Sequence, residues 1–154
     1  MASHPYSPLS LQLPGYAPQI LTARHILGPF FVAVAIIIVI SWLLSGWPQP
    51  KLSLGERLVI CWWATTGSIH MAVEGAFAAW PSFYQNTSPN IFSELWKEYS
   101  KADSRYAARD SCVVSIESVT AFVEGPLCFL IFSATGQTGI TTVNKSSWPS
   151  RAGG

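Results

Sequence analysis

Charged residues are scarce in this sequence. Lys and Arg together number nine and Asp and Glu eight among 154 residues, so 11% of the chain is charged, against about 25% in an average globular domain. The net charge of +1 argues against a nucleic-acid-binding protein, which needs a basic surface. Hydrophobic residues make up 49%, and the length suits one domain or one small membrane bundle.

Cysteine is also sparse. Cys61, Cys112 and Cys128 are odd in number, lie inside apolar stretches and have no paired metal-type spacing, which argues against a disulfide scaffold. Residues 1–22 contain four prolines and no Lys, Arg, Asp or Glu. They lack the basic start and apolar centre of a cleaved signal peptide, so we expect residues 1–24 to form an irregular N-terminal arm.

Three long apolar segments follow. The first, residues 26–44, has 19 residues without a charge and nearly spans the hydrocarbon core of about 30 Å. Segments 58–80 and 111–135 are also long enough but carry ionisable residues. The pattern predicts an all-α membrane protein with three transmembrane helices in a domain of residues 25–135, followed by a polar, disordered tail at 136–154.

A charged segment separates the second and third apolar segments. Residues 95–110 read LWKEYSKADSRYAARD, in which charges of both signs alternate. This pattern is typical of a solvated amphipathic surface helix. Trp96, Tyr99 and Tyr106 would then lie at the level of the lipid headgroups.

The second apolar segment carries a histidine and a carboxylate. His70 and Glu74 are four residues apart, so they share one helix face within hydrogen-bond reach. Trp63 continues the same face. A buried His–Glu pair can also serve only to join helices, and Trp63 can equally be a packing or interface anchor.

The third apolar segment carries two carboxylates. Glu117, Thr120 and Glu124 are spaced by three and four and therefore share one helix face. For Glu124 a structural alternative stays open, because the following Gly125 and Pro126 suggest a kink or helix end that admits water.

If the two faces meet, the interior combines groups suited to proton transfer. A carboxyl in an apolar site favours its neutral form and can act as an acid, a neighbouring His can shuttle a proton, and a second carboxylate can act as a base. An aromatic wall stabilises a cation. The set therefore predicts that a proton is moved onto and off an apolar substrate through a carbocation. The spacing matches no metal-binding motif, and no metal is expected.

Four sequence blocks resemble one known family. They are WLLSG (42–46), CWWATTGSIHMAVEG (61–75), LWKEYSKADSRY (95–106) and ESVTAFVEGP (117–126). Their order and spacing are similar to those of the sterol Δ8–Δ7 isomerases, also called emopamil-binding proteins, a family of EXPERA-domain membrane proteins.

This resemblance implies a fold and an activity. By this resemblance, the expected family folds as a bundle of five helices that crosses the membrane of the endoplasmic reticulum several times. It moves a ring double bond of a sterol from C8 to C7 during sterol synthesis, without a cofactor. The implied partners are the sterol and the lipid bilayer, with no nucleic acid, and a homodimer is a further expectation.

The resemblance also implies residue roles. The expected catalytic residues are His70, Glu74 and Glu117: the His–Glu pair supplies candidates for the acid that protonates C9, and Glu117 removes a proton from C7. The expected substrate-binding residues are Thr120, which the resemblance implies, and Trp63 and Glu124, which are assigned because they share helix faces with the ionisable residues. Asp103 and Arg105 are expected to fix the loop over the pocket.

The sequence departs from the family pattern at its C-terminal end. The fourth and fifth helices should follow at about Phe132, but the chain continues as a short polar tail. We therefore expect an incomplete version of the five-helix bundle, apparently truncated after the third helix. Besides a sterol isomerase, the alternatives are a non-catalytic membrane protein that binds sterols or cationic amphiphiles, and an inactive fragment.

Overall fold

The computed structural model describes residues 4–46 and 52–138, and its regular elements within these ranges are helices. Helix α1 is Ala23–Ser45 and helix α3 is Ile91–Tyr99. Helix α2 consists of Leu54–Ile69, a wide π-turn at His70–Glu74, and Gly75–Ala79. Helix α4 consists of Ser111–Val119, a second π-turn at Thr120–Glu124, and Gly125–Thr138.

Two of the helices are long and apolar enough to cross a membrane. They are Ala23–Ser45 and Ser111–Gln137, and most of each lies exposed on the outside of the described chain. The expectation of an all-α chain is confirmed for the residues described. A crossing by α2, the second of the three expected transmembrane helices in chain order, stays a prediction.

Polar residues set where the helices begin. Helix α2 begins four residues earlier than predicted, because Ser53 and Glu56 form a capping box: the Ser53 Oγ accepts from the Glu56 amide at 3.3 Å, and the Glu56 carboxylate accepts from the Ser53 amide at 2.8 Å. Such a box satisfies two amides that the helix leaves unpaired. The Asn90 and Asp110 side chains cap α3 and α4 by accepting hydrogen bonds from backbone amides of the first helical turn, without the reciprocal bond of a box.

The last helix differs in extent from the expected segment. Helix α4 reaches Thr138, three residues into the stretch predicted as a tail. The rest of that stretch, 139–154, lies outside the described residues. The helix also continues through Gly125 and Pro126, where a kink or end was an open alternative.

Helices α2 and α4 cross at two glycines. A Cβ atom on Gly67 would lie 2.9 Å from Cys128 Cβ and 3.1 Å from the Gly125 carbonyl oxygen, and one on Gly125 would lie 2.6 Å from Met71 Cγ. A Cβ atom at either position would force neighbouring atoms to shift, so glycine favours this close approach. Small residues at a crossing let helix backbones approach closely, which is a common device in membrane helix pairs.

The two π-turns, His70–Glu74 and Thr120–Glu124, pack against each other beside this crossing. In α4 the widened turn comes directly before Gly125 and Pro126. Proline has no N–H to donate and its ring clashes with the carbonyl four residues earlier, so a widened turn lets the helix continue past it. π-turns of this kind are frequent at functional sites.

An aromatic core joins α2, α3 and α4. Phe77, Phe83, Trp96 and Val113 are buried together, and Tyr106 stacks on Trp96 with ring centroids 5.2 Å apart and planes 18° from parallel. This core holds α3 and the 100–110 loop against the ends of α2 and α4.

The prediction that α3 presents its charges to solvent is wrong for Lys97. Its side chain is fully buried and its Nζ donates to Glu94 Oε1 at 3.0 Å and to the Asn86 carbonyl at 2.7 Å. The other Glu94 oxygen accepts from the amides of Ile20 and Leu21. The N-terminal arm covers the Glu94–Lys97 pair. Local charge alternation does not reveal this contact, because the two segments lie far apart in the chain.

We predict that Gly67→Ala destabilises the protein by about 1–3 kcal/mol, because the added methyl overpacks the crossing of α2 and α4. Gly55→Ala is the matched control, since a Cβ there meets nothing within 4 Å and the change should stabilise the helix slightly. Thermal unfolding of the detergent-solubilised protein measures both. Equal effects of the two variants would contradict the packing described.

We further predict that Lys97→Met destabilises the protein by about 3–5 kcal/mol, because it leaves the buried Glu94 carboxylate without its cation. Lys101→Met should cost less than about 1 kcal/mol, because the Lys101–Glu98 pair is exposed to solvent. The unfolding free energies, together with the rate of proteolysis within the arm, test this difference. A cost for Lys101→Met as large as that for Lys97→Met would show that burial is not the cause.

Candidate active site

His70 and Glu74 form a hydrogen-bonded pair at the π-turn of α2. His70 Nδ1 lies 2.6 Å from Glu74 Oε2, and the side chains are 19% and 17% exposed. The predicted hydrogen-bond reach of the pair is confirmed. An imidazole and a carboxylate joined by such a hydrogen bond are groups that serve in general acid–base chemistry.

Glu117 is buried on α4 and receives a hydrogen bond from the loop between α3 and α4. The Tyr106 hydroxyl donates to Glu117 Oε1 at 2.8 Å. The loop reaches this position through two local features. Arg105 and Asp103 form a bidentate pair, with Nη2 and Oδ2 at 2.6 Å, and Arg109 adopts a left-handed backbone with φ of 55°.

The charges of the two helices are close enough to influence each other. Glu117 experiences the charges of both Glu74 and His70, and the two π-turns pack against each other. On the loop, burial raises the pKa of Tyr106 well above its usual range, and the neighbouring Glu117 carboxylate adds to the shift. The phenol therefore stays protonated, and a donor, at neutral pH.

Sequence reasoning missed Tyr106 as a member of this site. The expectation was that Trp96 and Tyr106 lie at the headgroup level, but Trp96 is buried and its indole Nε1 donates to the Val73 carbonyl at 3.0 Å, while Tyr106 reaches Glu117. Only Tyr99 of the three is exposed. The sequence offered one signal. A buried carboxylate needs a hydrogen-bond donor, and Tyr106 supplies a hydroxyl shortly before α4.

Asp103 and Arg105 bond to each other at the loop surface. The Arg105 guanidinium lowers the pKa of Asp103 by hydrogen bonding, so the aspartate stays ionised. The pair closes the turn that precedes Tyr106 and contacts none of the six candidate site residues through a hydrogen bond.

The three expected substrate-binding residues are placed differently from one another. The Thr120 hydroxyl donates within its own helix, to the carbonyls of Ile116 and Glu117. Trp63 is partly buried and about 10 Å along α2 from His70. Glu124 is exposed, and neither Trp63 nor Glu124 hydrogen-bonds to a side chain within residues 4–46 and 52–138.

An apolar groove of about 340 Å³ lies elsewhere, between α1, α2 and α3. Its lining includes Phe30 and Val34 of α1, Ala72 of α2 and Phe92 of α3, and none of the six candidate residues. The described residues also contain no group of three or more His, Cys, Asp and Glu placed to hold a metal ion.

These features define a class of protein. The described residues form an all-α chain with two helices of membrane length, and a His–Glu pair and a buried carboxylate lie where α2 meets α4.

The comparisons name the family. Residues 91–150 match the family described as EBP: EXPERA (EXPanded EBP superfamily). A probable 3-beta-hydroxysteroid-Delta(8),Delta(7)-isomerase of Oryza sativa subsp. japonica is 45% identical over 127 residues, which are 82% of this chain and 58% of the relative. The corresponding isomerase of Rattus norvegicus is 42% identical over 135 residues, 85% of this chain and 57% of the relative.

A third relative has a different name. The protoglabretal synthase of Citrus sinensis is 50% identical over 99 residues, which are 64% of this chain and 46% of that protein. The chain thus spans a little over half the length of the steroid isomerases that it matches. By these matches the chain is related to the EBP family of the EXPERA superfamily.

Proposed function

We propose that this chain carries the acid–base centre of a sterol Δ8–Δ7 isomerase. The observation that carries the proposal is the meeting of the His70–Glu74 pair with Glu117 where the π-turns of α2 and α4 touch. The similarity to proteins named as Delta(8),Delta(7)-isomerases supports the same reaction.

The reaction needs one proton delivered and one removed. The His70–Glu74 pair donates a proton to C9, the electrons of the C8–C9 double bond form the new C–H bond, and a cation remains at C8. Glu117 then removes a proton from C7, and the electrons of that C–H bond form the C7–C8 double bond. No electron is gained or lost overall, so the reaction requires neither an oxidant nor a reductant.

The same proposal also assigns the residues that bind the substrate. Trp63 offers an aromatic face, which stabilises a passing cation. Thr120 begins the π-turn next to Glu117, and Glu124 adds a third carboxylate one turn further on. We assign these three residues to substrate binding.

A second candidate function rests on the three carboxylates of the site. Three carboxylates near an apolar helix crossing would also attract an amphiphile with a cationic head, which resembles the cation formed during the reaction. Binding of such a molecule without sterol turnover would identify the chain as a non-catalytic binding protein.

We also propose that the chain crosses the membrane of the endoplasmic reticulum three times, through α1, α2 and α4. The apolar length of α1 and α4 supports two of these crossings, and the family supports the compartment. Cysteines introduced at Leu52, before α2, and at Ser88, after it, should then react with a membrane-impermeant thiol reagent from opposite sides of microsomes. Labelling of both positions from one side would refute a crossing by α2.

The proposed activity predicts that Glu117→Gln abolishes sterol turnover, because glutamine has the shape of the carboxylate but cannot accept the C7 proton. Turnover of a Δ8-sterol to its Δ7 isomer is measured in microsomes of cells that lack their own isomerase, at matched expression. We expect a loss of at least about a hundredfold, in the range seen when a general base is removed.

The matched control is Glu98→Gln, the same chemical change on the surface of α3, where the carboxylate bonds to Lys101 and Gln19. It should retain turnover. Activity of Glu117→Gln close to that of the unchanged chain would reject Glu117 as the base, and lack of turnover by the unchanged chain would reject the proposed activity.

A further inference from the structure

The buried carboxylate of Glu117 has two oxygens in different situations. Oε1 accepts the Tyr106 hydroxyl at 2.8 Å. Oε2 accepts no hydrogen bond from any residue that the structure describes. The Tyr106 hydroxyl therefore holds one of the two carboxylate oxygens.

The Tyr106 ring is held firmly by its neighbours. It stacks on Trp96 and meets Phe77 and Tyr99 edge-on, with ring centroids 5.3 Å and 4.8 Å away. Because Trp96 in turn donates to the Val73 carbonyl, which belongs to the π-turn carrying His70 and Glu74, the phenol is fixed relative to both halves of the site. These contacts restrict the Tyr106 ring more than is usual for a residue in a surface loop.

We propose that Tyr106 is a positioning residue for the base of the reaction: its hydroxyl orients the Glu117 carboxylate so that Oε2 faces the proton to be removed, and stabilises the ionised form of that carboxylate. The inference rests on the proposed function. It adds a residue from the 100–110 loop to a site otherwise built from two membrane helices.

The electrostatic surroundings agree with this role. The titratable groups that act on Glu117 are Glu74 and His70 from α2 and Tyr106 from the loop. Among them, Tyr106 is the neutral donor, and hydrogen bonds donated to a charged acceptor are shorter and stronger than those between neutral groups. Loss of the hydroxyl therefore leaves Glu117 facing the negative charge of Glu74 without this compensation.

The test compares Tyr106→Phe, which removes only the hydroxyl and keeps the ring contacts, with Tyr84→Phe. Within the part of the chain that the structure describes, the Tyr84 hydroxyl makes one long hydrogen bond of 3.5 Å, accepted from Gln85 Nε2 at the surface. Sterol turnover is measured against pH in microsomes, with the amount of folded protein determined for each variant.

We expect kcat of Tyr106→Phe to fall by about ten- to a hundredfold, the range for losing a hydrogen bond to a charged group, with KM within about twofold. The acidic limb of its pH profile should move to higher pH, because an anion that has lost a donor takes up a proton more readily. Tyr84→Phe should match the unchanged chain. An unaltered kcat and pH profile in Tyr106→Phe would overturn the proposal, since a merely structural role changes only the amount of folded protein.

A second readout does not require turnover. Infrared spectroscopy of the reconstituted protein identifies the Glu117 carboxyl band as the one lost in Glu117→Gln. That band should shift in Tyr106→Phe and stay in place in Tyr84→Phe. If the unchanged chain shows no turnover but the band shifts, the proposed function fails while the contact to Glu117 stands, whereas an unshifted band overturns the role of Tyr106.

Discussion

The close approach of α2 and α4 is the constraint on which the rest of the structure depends. Gly67 and Gly125 bring the two backbones together at a distance where an added Cβ would force neighbouring atoms to shift. The two π-turns meet beside this crossing, and they carry or border the ionisable groups of the site. A bulkier residue at Gly67 would press on Cys128 and on the Gly125 carbonyl, so we expect it to disturb the packing beside the His70–Glu74 pair and Glu117.

A chain with so few charges uses several of them inside the structure. The carboxylate of Glu94 is compensated by Lys97 and by two backbone amides of the arm. Glu74 is paired with His70, and Glu117 with a phenol. Burying a carboxylate is costly unless partners satisfy it, so each of these contacts ties together segments that the apolar helices alone would not align.

The aromatic core connects this electrostatic arrangement to the loop. Because Trp96 contacts both the π-turn of α2 and the Tyr106 ring, the 100–110 loop acts as part of the site rather than as a surface connection. The proposed isomerase chemistry then uses groups from three elements: the proton-carrying pair on α2, the base on α4, and the donor that orients the base. None of these groups has to change its oxidation state, which suits a reaction that only relocates a double bond.

The sequence by itself determined the features that depend on local geometry. The uncharged length of residues 26–44 predicted α1, and the spacing of four predicted the contact between His70 and Glu74, because helix geometry alone sets both. The capping box at Ser53 and Glu56 was also readable from the sequence, although it was overlooked and α2 was predicted to begin too late.

Only the tertiary structure decided which distant groups meet. Lys97 was predicted to be solvated, since charge alternation does not reveal that the N-terminal arm covers it. Tyr106 was assigned to the headgroup level, because nothing in local spacing shows that a loop turns back to a carboxylate eleven residues later in the chain. Periodicity describes one helix face at a time, whereas the partner of a buried charge depends on how the chain reverses direction and packs.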